Sequence, residues 1–216
     1  MQLDASRTFA TAEEVAAAAA QEITAELWKG ARTLVLAGGS TPRRCYELLS
    51  GKAVEWGRIT ILFGDERCVR PDDPESNYRL ARETLLDRAY PASVHRIPGE
   101  LGPEAGAELY EPVVLRLLPL DLVLLGIGED GHTASLFPDH PALRAEGWAV
   151  PVRQAPKPPP DRVSLSLAAL RAARRVMVLA TGADKASAVA KARRGEVPAG
   201  LIPHAEWLLD SAAAGG

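Results

Sequence analysis

The sequence predicts an α/β fold built on a doubly wound, mostly parallel sheet with helices on both faces. Three observations carry this. Short apolar runs at 33–37, 58–63, 120–125 and 175–181 alternate with segments of helical period. The run Leu120-Asp121-Leu122-Val123-Leu124-Leu125 is apolar at all but one position, as a strand covered on both faces requires. Each run ends in a polar, glycine-bearing tip, at 38–42, 64–67, 126–132 and 181–185.

Taken in order, residues 11–29 read as a helix, with Thr11 and Glu14 as a capping box and Gly30 as the stop. Val15, Ile23, Leu27 and Trp28 give its alanine-rich body an apolar face. After the 33–37 strand, Thr41 caps a helix that Pro42 opens and Gly51 ends. Ser76 caps a helix to about 88, and Pro103 opens another that Pro112 is expected to kink. Strands are expected at 148–152 and 163–167, joined by the extended connector Pro156-Lys157-Pro158-Pro159-Pro160. A short helix at 168–173 follows, then the 175–181 strand and a helix over 183–194 that Gly195 stops. Residues 207–209 close the sheet as an edge strand, and the tail 212–216 is expected to fray. The proline connector spans only five residues, so 1–216 reads as a single domain.

Composition narrows the function. Hydrophobic residues make up 47%, enough for a sizeable core, and no apolar run approaches membrane-spanning length. A net charge of −3 gives no overall attraction to nucleic acid or anionic membrane, so an anionic ligand needs a local basic cluster. Cys45 and Cys68 form no C-x-x-C pair and read as reduced, buried thiols. With no signal-peptide pattern at the N-terminus, a cytoplasmic protein is expected. His132 and His140 have neither metal-ligand spacing nor a nearby cysteine, so no metal is expected.

The chemistry concentrates at the strand tips, which an open parallel sheet gathers at its carboxyl edge. His132 is the general-base candidate, because imidazole titrates near neutrality. Glu129 or Asp130 is placed to hold its tautomer. Gly126-x-Gly128-x-x-Gly131 matches the dinucleotide fingerprint in letters only. Pro138 and Pro141 cut short the helix which that fingerprint needs, so no nucleotide cofactor is expected. Gly38-Gly39-Ser40-Thr41-Pro42 reads either as a phosphate cradle or as an ordinary capped turn. Arg67 is a candidate phosphate ligand with Asp65 beside it, or half of a surface ion pair. Lys185 and Arg162 are further candidate cations.

These tips occur in one order with Ser76-Asn77, Arg162-Val163-Ser164-Leu165 and the string from Leu125 to Pro138. Together they resemble the 6-phosphogluconolactonase family over essentially the whole chain. Ala37 is a mild departure, since many members carry serine there. The resemblance implies a Rossmann-like fold similar to glucosamine-6-phosphate deaminase and ribose-5-phosphate isomerase. It implies a sugar-phosphate lactone as substrate, no metal and no cofactor. It assigns His132 to water activation, and Arg67 and Lys185 to the phosphate and polar contacts. With Gly39, Ser40, Thr41, Asp65 and Arg162 these complete the expected substrate contacts, in a monomer or small homo-oligomer.

Two rivals remain at this level. An aminosugar-phosphate deaminase typically carries Thr-Asp-Glu-Tyr where this chain has Gly64-Asp65-Glu66-Arg67. A non-catalytic sugar-phosphate sensor has no need of His132 with both neighbouring carboxylates.

Overall fold

A computed structural model describes residues 6–215. β1 (Ser6–Phe9) leads into α1 (Ala12–Lys29), β2 (Thr33–Leu36), α2 (Ser40–Leu49), β3 (Thr60–Phe63) and β4 (Asp65–Arg67). A helical stretch follows: α3 (Asn77–Ala81), a π-helical segment (Arg82–Leu86) and a last turn, α4 (Asp87–Ala89). Then come β5 (Ser93–Val94), α5 (Pro103–Leu117) and β6 (Leu122–Gly126). β7 (Ala149–Val152), β8 (Arg162–Leu165), α6 (Leu167–Ala172), β9 (Arg175–Ala180), α7 (Ala186–Arg193), β10 (Ala205–Asp210) and α8 (Ser211–Ala214) complete the chain.

Seven strands form one all-parallel sheet in the order β1-β10-β9-β6-β2-β3-β5. From β2 the chain steps outward to β3 and β5. It then crosses to β6 on the other side of β2 and steps away through β9 and β10. The carboxyl ends of β2 and β6 therefore flank the point where the winding reverses, the crevice in which such sheets bind ligands. Leu34, Leu62, Val123, Leu124, Val178 and Leu208 are fully buried in the continuous core behind it. Each such side chain contributes about 1.5–3 kcal/mol by leaving water.

Two buried tyrosines fix the strands where they leave the sheet. Tyr46 Oη accepts from the Ala37 N–H and donates to the Ala37 carbonyl, both at 2.8 Å. Tyr110 Oη does the same for Phe63, at 2.9 and 3.1 Å. Backbone groups that would lose their ladder partners at the strand ends are satisfied without water. The tips at 38–42 and 64–67 thus start from fixed points.

The structure corrects several expectations. β7 and β8 are strands, but they run antiparallel in a separate three-stranded sheet, β4-β8-β7, beside the parallel one. The strand at 207–209 extends over Ala205–Asp210 and lies inside the sheet, because β1 pairs beyond it. The polar, mostly exposed β1 carries no apolar signal of its own. Gly39, not Thr41, occupies the N-cap position of α2. Thr11 does cap α1, while Glu14 reaches the Ala10 N–H. α5 opens at Pro103 as expected and runs through Pro112 to Leu117. The tail forms a helical turn at Ser211–Ala214, held by the Asp210 side chain, which accepts from Ala213 N–H at 2.7 Å; Gly216 lies outside the described residues. Cys45 is buried as expected but Cys68 only partly, and burial pushes both thiols up to about 12.

Candidate active site

A cleft of about 390 Å³ opens at the carboxyl ends of β2, β6 and β9. Gly39, Ser40, Thr41, Asp65, Arg67, His132, Arg162 and Lys185 all line it, joined by Asn77, Lys157 and Thr181.

His132 sits on the loop after β6. That loop closes on itself through Gly128 N–H to the His132 carbonyl and Gly131 N–H to the Gly128 carbonyl, both 2.9 Å. Thr133 Oγ1 ties it back to the Gly126 carbonyl at 2.9 Å. It proceeds to a bridge between Thr133 and Leu136 rather than to a helix, which removes the dinucleotide reading. The His132 Nδ1 lies 2.5 Å from Asp130 Oδ1, and its ring packs on Phe137 with centroids 4.4 Å apart. Burial pushes the imidazole below its ordinary value, with Asp130 opposing, which favours the neutral ring. Burial also pushes the Asp130 carboxyl up, but the facing imidazole more than reverses this and leaves it below the usual range.

A side chain on Gly128 would fall on the His132 ring and on Asp130 Oδ1, and one on Gly38 would fall on the Asn77 amide. Both glycines are required by close approach.

Opposite the histidine, buried carboxylates organise β4. Asp65 is 6% exposed; its Oδ2 accepts from Ser135 Oγ at 2.6 Å and its Oδ1 from Asn77 Nδ2 at 3.1 Å. Glu66 receives the Arg67 and Asn77 N–H groups on Oε1, and the Ser76 hydroxyl and Tyr78 N–H on Oε2, all at 2.8–2.9 Å. Its burial pushes the carboxyl up against these bonds. Glu66 thereby fastens the start of α3 to β4 and sets Arg67 and Asn77 side by side. Arg67 Nη1 donates to the Glu75 carbonyl, while its buried Nε has no partner among the described residues. Across the cleft, the Thr41 and Thr181 hydroxyls meet at 2.7 Å, joining the β2 and β9 tips.

The fold thus gathers a histidine oriented by a carboxylate, exposed loop amides and hydroxyls, and a cationic rim in one crevice. A family described as glucosamine-6-phosphate isomerases/6-phosphogluconolactonase matches residues 6–209. The chain belongs to this family. A 6-phosphogluconolactonase of Streptomyces coelicolor is 41% identical, covering 92% of this chain and 88% of its own. The Homo sapiens 6-phosphogluconolactonase is 40% identical, covering 95% and 91%. The crystal structure of the Thermotoga maritima 6-phosphogluconolactonase superposes with a TM-score of 0.88 at 27% identity, covering 96% of this chain and 99% of that one.

Within this family frame, the structure divides the residues singled out from sequence. Of the two carboxylates offered to His132, Asp130 makes the contact. Glu129 is 61% exposed and reaches Lys185 Nζ at 3.6 Å instead. Lys185 also pairs with Asp184 at 2.7 Å. Arg162 lines the cleft but is only 4% exposed. Its Nε donates to the Pro159 carbonyl at 2.9 Å, and its Nη2 to the Lys157 and Pro158 carbonyls at 3.0 and 3.1 Å. Its guanidinium stacks over Phe137 at 5.4 Å. Arg162 thus holds the connector through Nε and Nη2 while its guanidinium still lines the cleft. Lys157, Thr181 and Ser135 were not singled out. Thr181 and Ser135 lie in marked segments, but their individual parts, like that of Lys157, come from tertiary contacts. His140 caps the turn at Pro141–Arg144, a structural role.

Proposed function

We propose that this chain hydrolyses 6-phospho-D-glucono-1,5-lactone to 6-phospho-D-gluconate, the lactone-opening step of the oxidative pentose phosphate pathway. The observation that carries the reading is the half-buried His132 held at Nδ1 by Asp130 in a cleft rimmed by cations, within a chain 40–41% identical to named 6-phosphogluconolactonases.

With Nδ1 bound to Asp130, Nε2 is the nitrogen free to accept a proton. Nε2 takes one from a water as its oxygen bonds to the lactone carbonyl carbon, and Asp130 balances the imidazolium that results. The carbonyl oxygen becomes an oxyanion, stabilised by loop amides or a cation. As the tetrahedral adduct collapses, the bond to the ring oxygen breaks and that oxygen takes the proton back from His132. One water is consumed, and the product carboxylic acid ionises. The Gly39–Thr41 tip, Arg67 and Lys185 hold the phosphate, so that this remote anchor positions the carbonyl. Asp65 and Asn77 support that wall through their mutual hydrogen bond. A serine acyl-enzyme is not invoked, because no Gly-x-Ser-x-Gly elbow is present.

The reaction as drawn calls on neither metal nor cofactor. No described helix is long and apolar enough to cross a membrane. A cytoplasmic location and a monomer or small homo-oligomer are part of the proposal. The experiment is acid release from freshly prepared lactone, measured against its spontaneous opening. Turnover well above background supports the reading. Ammonia release from glucosamine 6-phosphate without lactone hydrolysis would replace it with a deaminase.

A further inference from the structure

Four cations line the cleft, and they differ in what already holds them. Arg162 spends Nε and Nη2 on three carbonyls of the connector. Lys185 is paired with Asp184 and Glu129. Arg67 is engaged at Nη1 by Glu75. Lys157 is half-buried, and its ammonium forms neither a hydrogen bond nor an ion pair among the described residues.

Its backbone, by contrast, is tightly held. Prolines at 156, 158, 159 and 160 fix most φ angles around it. Ala155 N–H closes the segment on the Pro160 carbonyl at 2.7 Å. The buried Arg162 grips the carbonyls of Lys157, Pro158 and Pro159 from below. A rigid stem that presents an unneutralised ammonium to a cleft loses little entropy when a ligand meets it. A solvated loop lysine needs no such support.

We propose that Lys157 is a substrate-contacting cation at the reacting end of the cleft, stabilising the oxyanion that forms at the lactone carbonyl, with Arg162 as its positioning residue. This rests on the lactonase reading above. The reacting end is favoured because Arg162, which holds the Lys157 carbonyl, stacks on Phe137, the same ring against which His132 packs at 4.4 Å. The Lys157 charge also bears on the groups around the cleft, lowering His132, Asp130 and Asp184, while Asp65 and Asp130 raise His132.

The test is steady-state hydrolysis by Lys157→Met, Lys157→Gln and Lys157→Arg beside wild type, with inorganic phosphate as competitive inhibitor and melting curves for each protein. For Met and Gln we expect kcat to fall about 10–100-fold, roughly the effect of losing one oxyanion contact. KM and the phosphate inhibition constant should stay within about twofold, since the remote anchor is untouched. The acid limb of kcat/KM should move to higher pH, because a charge that depressed His132 is gone. Arginine should restore most of the rate. Unchanged kcat in a folded Met or Gln variant would reduce Lys157 to a solvated loop residue. A rise in KM and in the phosphate constant with kcat held would move it to the phosphate end. Both outcomes overturn the proposal while leaving wild-type lactonase activity intact. An inactive wild type would instead overturn the lactonase reading.

Discussion

The Nδ1 atom of His132 and the Oδ1 atom of Asp130 lie 2.5 Å apart, and both lean on Gly128, the one residue of their loop whose missing side chain makes room for them. The glycine spacing that looks like a nucleotide loop is thereby explained by the pair it accommodates. Asp130 fixes the tautomer and Gly128 fixes the place.

Asp130→Asn should lower the plateau of kcat by about two to four decades, the scale of mis-set tautomers in comparable triads. The sign of the accompanying pH shift is determined. A working base must be deprotonated, so kcat/KM rises as pH passes the His132 pKa, which lies below its usual value of about 6.5. Asp130 raises that pKa, so its neutralisation should move the acid limb to still lower pH, opposite to Lys157→Met. A pH–rate profile of the two variants separates the effects.

His132 also links pH to stability. Its pKa is depressed in the folded state, so between about 6.5 and that lower value the unfolded chain binds the proton more readily. Folded stability should therefore decline as pH falls through this window, and His132→Asn should flatten the decline. Urea melts at a series of pH values check it.

Gly128→Ala should fold with a loss of about 1–3 kcal/mol and a large drop in kcat, because the added methyl displaces the His132–Asp130 pair. The backbone there has no positive φ, so the effect is steric alone. Denaturant melts and kinetics on the same sample measure both.

Glu66→Gln puts an amide donor among four donors that now converge on a carboxylate. A loss of about 1–3 kcal/mol is expected from the unmatched groups. The start of α3 should loosen, and KM should rise more than kcat falls, since Arg67 and Asn77 shift together. Melting temperature and the KM-against-kcat comparison test this.

Much of this arrangement is legible in the chain, and what is not has physical causes. The parallel strands 33–36, 60–63, 122–126 and 175–180 announce themselves by unbroken apolar runs, and their tips converge as expected. β1 escapes because Ser6, Arg7 and Thr8 pair only on one side and carry no apolar pattern. β4 escapes because Asp65-Glu66-Arg67 reads as a polar tip, and only its pairing with β8 makes it a strand. Arg162 is visible as a cation, but its role depends on carbonyls that the proline connector brings back to it. Lys157 has the same invisibility for the same reason. Glu129 and Asp130 cannot be told apart by spacing, because loop closure at Gly128 and Gly131 decides which one faces the ring.

The central claim is that His132 removes the proton from the attacking water. Purified His132→Ala, folded as judged by its melt and assayed on fresh lactone with the spontaneous rate subtracted, should turn over about two to four decades more slowly than wild type. Wild-type turnover by that variant would contradict the account.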